Sequence, residues 1–289
     1  MKILVTGSNG QLGQEIKYIS KYFSDNEYFF ADRSDVDISC KDSLINFFSN
    51  NSFDVIINCA AYTDVEGAEI NQQEANAING YALNKLCDVL ENISSTAQII
   101  HISTDFVYEG NKCELLKEDC LTNPKSHYGK SKLLGENFIQ LSNIPSIIIR
   151  TSWLYSISGT NFVNTMKRLG KKEKSIKVIH DQIGSPTNAR DLALAILSII
   201  QSDKFKSNAL KKEIFHFSNS GECSWFDLAT KIFSLTGIDC KTIQISAKEY
   251  GSSVERPKYS ALDCSKIALT FGIKLREWQY SLEKCINGA

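Results

Sequence analysis

The chain has 289 residues, 43% hydrophobic and 22% charged. That composition excludes a disordered or fibrous polymer, and folding should bury roughly three quarters of the unfolded surface in one large domain or two modest ones. With Lys+Arg 32 against Asp+Glu 33 the formal net charge is -1, so the basic excess that a general nucleic-acid or anionic-membrane binder needs is missing.

The first apolar run, Lys2–Thr6, predicts a strand. It reaches Gly7 too soon for the core of a secretion signal. Helical spacing follows over Gln11–Phe23, then an aromatic strand at Glu27–Ala31 that closes on Asp32. A helix is predicted at Ser43–Phe48, a buried strand at Asp54–Ala61 and a long helix at Asn71–Asn92. Strand Gln98–Ser103, helix Pro124–Leu141 and strand Ser146–Arg150 continue the alternation. Continuous apolar strands separated by helices mean a parallel sheet covered on both faces. Right-handed crossovers make it a doubly wound, Rossmann-like α/β fold.

After Arg150 the pattern loosens, with loops at Tyr155–Asn161 and Asp181–Asn188, and predicts a smaller α+β substrate-binding lobe. Helix Asp191–Ile200 and strand Glu213–Phe217 are expected to return to the first sheet. The expected division is discontinuous: 1–150 plus about 190–218 for a dinucleotide, 151–189 and 219–289 for the substrate.

The longest near-apolar run, Leu192–Ile200, is far short of the roughly 20 residues that span a bilayer. Nine cysteines are scattered without a C-x-x-C, and the four histidines do not pair with them at zinc-site spacing. The expectation is free, mostly buried thiols in a reducing cytoplasm, with no membrane span.

Gly7, Gly10 and Gly13 form a G-x-x-G-x-x-G loop between the first strand and the first helix. Glycines there let the backbone turn tightly and approach a pyrophosphate, while the helix N-terminus offers N–H donors. The second strand ends at Asp32-Arg33. A carboxylate suits the ribose 2'-hydroxyl of NADH and an adjacent guanidinium suits the 2'-phosphate of NADPH, so both dinucleotides stay open.

Tyr128 and Lys132 stand at i and i+4 on one helix face. An ammonium about 4 Å from a phenol, worth on the order of 4 kcal/mol, would pull the phenol pKa from about 10 toward 7. The spacing alone is weak, because Tyr81/Lys85, Tyr108/Lys112 and Tyr280/Lys284 share it; these three read as surface residues. Only Tyr128/Lys132 follows a strand ending in hydroxyls, Ser103-Thr104. At the carboxyl end of a parallel strand Thr104 can hydrogen-bond an oxygen that Tyr128 protonates.

The glycine loop, Ala60-Ala61-Tyr62-Thr63, Ser103-Thr104-Asp105-Phe106-Val107-Tyr108 and Tyr128-Gly129-Lys130-Ser131-Lys132 resemble extended short-chain dehydrogenases/reductases. Arg150-Thr151-Ser152-Trp153-Leu154-Tyr155, Asp181-Gln182-Ile183-Gly184-Ser185-Pro186-Thr187 and Arg256-Pro257 narrow the resemblance to the dTDP-4-dehydrorhamnose reductases, over the whole length. The resemblance implies an NADPH- or NADH-dependent enzyme acting on a dTDP-sugar, in surface-polysaccharide synthesis.

Residue by residue, it implies that Gly7, Gly10, Gln11, Leu12 and Gly13 cradle the pyrophosphate, and that Asp32, Arg33, Asp37 and Ile38 surround the adenosine. Ala60, Ala61 and Tyr62 line the dinucleotide. Thr104, Tyr128 and Lys132 form the catalytic set, with Lys132 also on the nicotinamide ribose. Thr104, Asp105 and Trp153 meet the sugar, and Arg256 the nucleotide end. Related dehydratases carry Glu after the Thr-Asp pair; Phe106 here disfavours dehydration. Some family members hold Mg2+ at a dimer contact through acidic residues. Glu15 is one candidate, but no acidic cluster accompanies it, so a metal is not supported; a homodimer stays open. A reductase for another nucleotide-linked 4-keto sugar, or a non-catalytic cofactor-binding regulatory subunit, are the alternatives.

Overall fold

Residues 1–111, 114–252 and 254–288 are described by a computed structural model. Their centre is a six-stranded, all-parallel sheet in the order Lys212–Phe217, Ser146–Thr151, Gln98–Thr104, Val55–Asn58, Lys2–Thr6, Glu27–Ala31. The four inner strands are Ile- and Val-rich and buried almost throughout, as a sheet covered on both faces requires. Glu27–Ala31 alternates exposed and half-buried residues, the pattern of an edge. Helices Gln11–Ser20 and Ala189–Gln201 pack together over one face, while Lys41–Asn50, Ala82–Asn92 and His127–Leu141 contribute to the layer on the other.

The strand order reverses between Lys2–Thr6 and Val55–Asn58. A doubly wound sheet binds ligands outside the carboxyl ends of its strands at such a reversal. Gly7 and Cys59-Ala60 meet there. The predicted return of the later strand to the sheet is observed, since Lys212–Phe217 pairs with Ser146–Thr151.

Four predicted elements are shorter or broken; the helix expected over Gln11–Phe23 ends at Ser20, and that expected over Pro124–Leu141 starts at His127. The strand expected over Asp54–Ala61 stops at Asn58; one more bond, Cys59 N–H to Thr6 O at 3.2 Å, closes it before the chain leaves the sheet. The helix expected over Asn71–Asn92 is divided into Gln72–Asn76, a π-helical turn Ala77–Tyr81 and Ala82–Asn92. The wider turn carries Asn79, whose fully buried amide binds groups on two other segments.

The rest of the chain is α+β. Leu154–Tyr155 pairs with Thr187–Asn188, Ile183–Gly184 with Cys223–Ser224, and Ser175–Ile179 with Lys241–Ile245. Helices Phe162–Gly170, Trp225–Thr236 and Trp278–Ile286 share a separate apolar core around Val163, Met166, Ile232, Phe233 and Leu282. A Ser224/Asp227 capping box starts the middle helix. Among the described residues no helix is long and apolar enough to cross a membrane, and the eight cysteines are unpaired. Lys112 and Cys113 lie outside the described residues.

Candidate active site

The glycine loop is shaped by contacts that no side chain would survive. Gly7 has φ +66°, and a Cβ there would lie 2.6 Å from Ala60 N. A Cβ on Gly13 would lie 2.6 Å from Gly7 O. Gly10 donates its N–H to Gly7 O at 3.0 Å and then starts helix Gln11–Ser20 without a side-chain cap. The helix thus keeps donors for an anion at its N-terminus. This is the fit a dinucleotide pyrophosphate needs. Gln11 faces the other lobe, its Oε1 accepting from Ser156 Oγ at 3.1 Å and Asn161 Nδ2 at 2.8 Å. Leu12 is buried in the core, so only its backbone faces the loop.

Asp32 stands at the carboxyl end of the edge strand. Its carboxylate accepts from Asn9 Nδ2 at 2.9 Å and from the N–H and hydroxyl of Ser34 at 2.7 and 2.6 Å. The Ser34 hydroxyl first, then its N–H, hold the carboxyl below its ordinary range. Arg33 is exposed and donates to Asp37 at 3.2 Å. Ile38 buries its side chain among Leu44, Phe48 and Phe53, so only its backbone is left to face an adenosine. Ala60, Ala61 and Tyr62 are half-buried along the crevice, and Asn79 clamps Tyr62 by accepting from its N–H at 2.8 Å and donating to its O at 3.0 Å.

Thr104 ends the strand Gln98–Thr104, where its Oγ1 donates to Asp105 Oδ1 at 3.1 Å. Ser126 caps helix His127–Leu141 by accepting from Gly129 N, which sets Tyr128 in the first turn, its ring edge-on to Phe106 at 5.5 Å. Burial raises the Tyr128 phenol to about 12; a hydrogen bond with Thr104 only partly offsets this. The expected drop toward 7 is therefore overturned. Lys132 lies one turn on, yet its ammonium donates to Ile102 O at 2.7 Å and reaches His101 Nε2 at 3.4 Å. Sharing a helix face did not make the two groups partners. Burial lowers Lys132 to about 8, with the Glu136 carboxylate opposing.

The helix is locked to the sheet by a buried ion pair, Arg150 Nη2 to Glu136 Oε2 at 2.6 Å. Ser103 donates to the same carboxylate and Arg150 donates to Tyr108 Oη. Asp105 is buried and keeps one carboxylate oxygen without a protein partner; desolvation pushes its pKa up to about 6. Such an orphan acceptor at a strand end fits a ligand hydroxyl. Trp153 has φ +47°, a strained setting for a bulky residue, and stacks on Trp225 at 3.4 Å between ring centroids. Arg256 reaches Glu66 at 3.1 Å across the crevice from the other lobe.

This geometry has close relatives. A family model described as the RmlD substrate binding domain matches residues 1–289. The chain belongs to that family. It is 37% identical to the spore coat polysaccharide biosynthesis protein SpsK of Bacillus subtilis, covering 99% of this chain and 97% of that one. A crystal structure of a dTDP-4-dehydrorhamnose reductase from Clostridium acetobutylicum superposes with a TM-score of 0.92 at 41% identity, covering 99% of both chains. Another from Bacillus anthracis, in complex with NADP, gives 0.90 at 32% identity, covering 100% of this chain and 99% of that one.

In this RmlD-family chain the structure brings Gly7 to Ala60, Gly10 and Gly13 to Gly7, and Thr104 to Asp105. It leaves the side chains of Leu12 and Ile38 in the core. Tyr108, read as a surface residue, is 1% exposed and bonded to Arg150 and His216. Tyr81 and Tyr280 are exposed as expected. Glu15 does not fit a metal: Arg190 pairs with it at 2.8 Å, and no metal-binding group of carboxylates, histidines and cysteines occurs among the described residues.

Asn79, His101, Glu136 and Arg150 were missed as site residues. The signal for Glu136 and His101 was present: one stands a turn beyond Lys132 on its helix, the other interrupts an apolar strand. Asn79 had none, because its role depends on the π-helical turn.

Proposed function

We propose that this chain reduces the 4-keto group of dTDP-4-dehydro-β-L-rhamnose to dTDP-β-L-rhamnose with NADPH or NADH, the last step of dTDP-L-rhamnose synthesis for surface polysaccharide. Residues 1–150 with about 190–218 hold the dinucleotide, and the remainder holds the sugar nucleotide. The observation that carries this reading is the Tyr128 phenol, protonated at neutral pH, its ring packed edge-on to Phe106 just past the Thr104 strand end, in a sheet whose first crossover is a glycine cradle. The relatives' names point to the same chemistry, and the solved NADP complex supports the choice of cofactor.

The reduced nicotinamide supplies a hydride when bound. Thr104 and Tyr128 hold the C4 carbonyl oxygen, and Tyr128 gives up its proton as negative charge develops there. The positive charge of Lys132 favours the phenolate left behind. A proton donor with a pKa raised to about 12 is a reluctant acid in the resting protein; the alkoxide that forms on C4 is a stronger base, so the transfer runs downhill only after attack. Asp105 takes a sugar hydroxyl on its free oxygen, and Trp153 packs against the ring. Phe106 offers no second proton carrier, which directs the site to reduction and away from dehydration.

The test is loss of absorbance at the reduced-nicotinamide band with each dinucleotide and dTDP-4-dehydro-β-L-rhamnose. Turnover confirms the reading. Faster turnover of another nucleotide-linked 4-keto sugar reassigns the substrate; dinucleotide binding without oxidation by any keto sugar makes the chain a regulatory subunit.

A further inference from the structure

Behind Lys132 lies a row of polar side chains that the reaction above does not use. Thr6, Asn58 and His101 are register partners on three neighbouring strands, Thr6 with Asn58 and Asn58 with His101. All three are sealed, at 2%, 0% and 0% exposure. They bond in line: Thr6 Oγ1 to Asn58 Oδ1 at 2.6 Å, Asn58 Nδ2 to His101 Nδ1 at 3.0 Å, His101 Nε2 to Lys132 Nζ at 3.4 Å. A buried polar row is stable only when each member keeps a partner. This one runs from the residue before Gly7 to the lysine of the site.

We propose that His101 is a positioning residue for Lys132, and that the row Thr6–Asn58–His101 has two hydrogen-bonding settings, one for each charge state of the lysine. The proposal rests on the reading of Lys132 as part of the active site. A neutral imidazole donates from one nitrogen and accepts at the other. When Lys132 is an ammonium, Nε2 accepts from it. The ring proton is then on Nδ1 and donates to the Asn58 carbonyl oxygen, with the Asn58 amide nitrogen turned to donate to Thr6 Oγ1. When Lys132 is an amine, its lone pair accepts from Nε2–H. Nδ1 is bare and accepts from Asn58 Nδ2, and the Thr6 hydroxyl donates to Asn58 Oδ1.

The two settings use the same heavy-atom positions, because an amide's oxygen and nitrogen exchange places by a half turn. The imidazole holds one proton in both; the proton lost is the lysine's, released to solvent. Each setting keeps every link of the row from Thr6 to Lys132 made, so neither breaks a buried hydrogen bond, a loss that would cost about 1–3 kcal/mol.

The surrounding groups allow the switch. Burial lowers Lys132 to about 8, while the Glu136 carboxylate on its own helix pulls it back up. Cys59, beyond the third strand, is pushed to about 12 by burial and stays a thiol. Tyr128, one turn back, is raised to about 12 and stays a phenol. Burial, and then the Lys132 charge, keep His101 well below its ordinary range, so it does not take a second proton near neutrality.

Long-range proton–nitrogen spectra of the 15N-labelled protein without ligands report the tautomer of each of its four histidines, the His101 signals being assigned by their loss in His101→Gln. Between about pH 6 and 9.5, His101 is expected to change from the Nδ1–H to the Nε2–H form with a midpoint near 8. In Lys132→Met the tautomer is expected to be independent of pH. A single tautomer throughout the wild-type titration, or an imidazolium in that range, overturns the proposal. This readout needs no substrate, so it stands or falls apart from the assigned reaction.

Activity supplies a second readout. A glutamine oxygen takes the place of Nε2 as acceptor, so His101→Gln should keep the alkaline limb of kcat/KM within about half a pH unit of wild type. His101→Leu removes the acceptor and should move that limb down by about one pH unit or more. A limb that stays put in His101→Leu, with only stability lost, overturns the positioning role.

Discussion

At the glycine-loop end of the proposed site the backbone sets the geometry; at the Tyr128–Lys132 end buried side chains do. Gly7 and Gly13 are fixed by close approaches to Ala60 and to Gly7 itself, all within or beside one loop. Tyr128 and Lys132 depend on Ser126 and Glu136 of their own helix and on Asn79, His101 and Arg150, drawn from a π-helical turn and two strands. Asn79 reaches their helix through Ser131, which in turn bonds Tyr128 O. A steric requirement restricts residue type at a single position. A hydrogen-bond network restricts only the combination, and so leaves a fainter trace in the chain.

The sharpest way to separate the two ends is to remove the phenol. Tyr128→Phe should lower kcat by about 10²–10⁴-fold while dinucleotide binding, read by fluorescence titration, is unchanged. Near-normal kcat would end the assignment of Tyr128 as proton donor. Breaking the support beneath that residue should show next. Arg150→Met leaves the Glu136 carboxylate buried without its cation and should cost about 3–5 kcal/mol in chemical denaturation. If the midpoint barely moves, the side-chain end is not held by this pair. The third is Gly7→Ala, which adds a methyl at a positive φ, a cost of about 1–3 kcal/mol by itself, and 2.6 Å from Ala60 N, so the loop must also shift. It should also weaken dinucleotide binding more than it changes kcat at saturation; the reverse order would mean that the loop shapes the catalytic end.

Much of the sheet was legible because its strands obey local rules. Lys2–Thr6 and Glu27–Ala31 have the predicted bounds, one an apolar run stopped by glycine, the other stopped by the polar Asp32. The Asn71–Asn92 prediction failed where tertiary contacts outweigh helical periodicity: Asn79 is drawn inward to Tyr62 and Ser131, and the helix widens to allow it. The Tyr128–Lys132 pairing failed for another reason. Spacing of four puts two side chains on one face, but a long lysine reaches whatever acceptor is nearest, here Ile102 O on the strand below. Tyr108 misled in the opposite sense, since its burial rests on Arg150 and His216, 42 and 108 residues away.

The contacts that join the two lobes are unequal. One side is stitched by Gln11 and Gln14, which accept hydrogen bonds from Ser156, Asn161 and Ser158. The lobes also meet at the Arg256–Glu66 pair, with side chains 26% and 56% exposed, a kind of bond worth about 0–1 kcal/mol. Any spreading of the halves that preserves the stitched side pivots there and parts Arg256 from Glu66. The glycine loop, tied to the other lobe through Gln11, stays with the stitched side in such a swing.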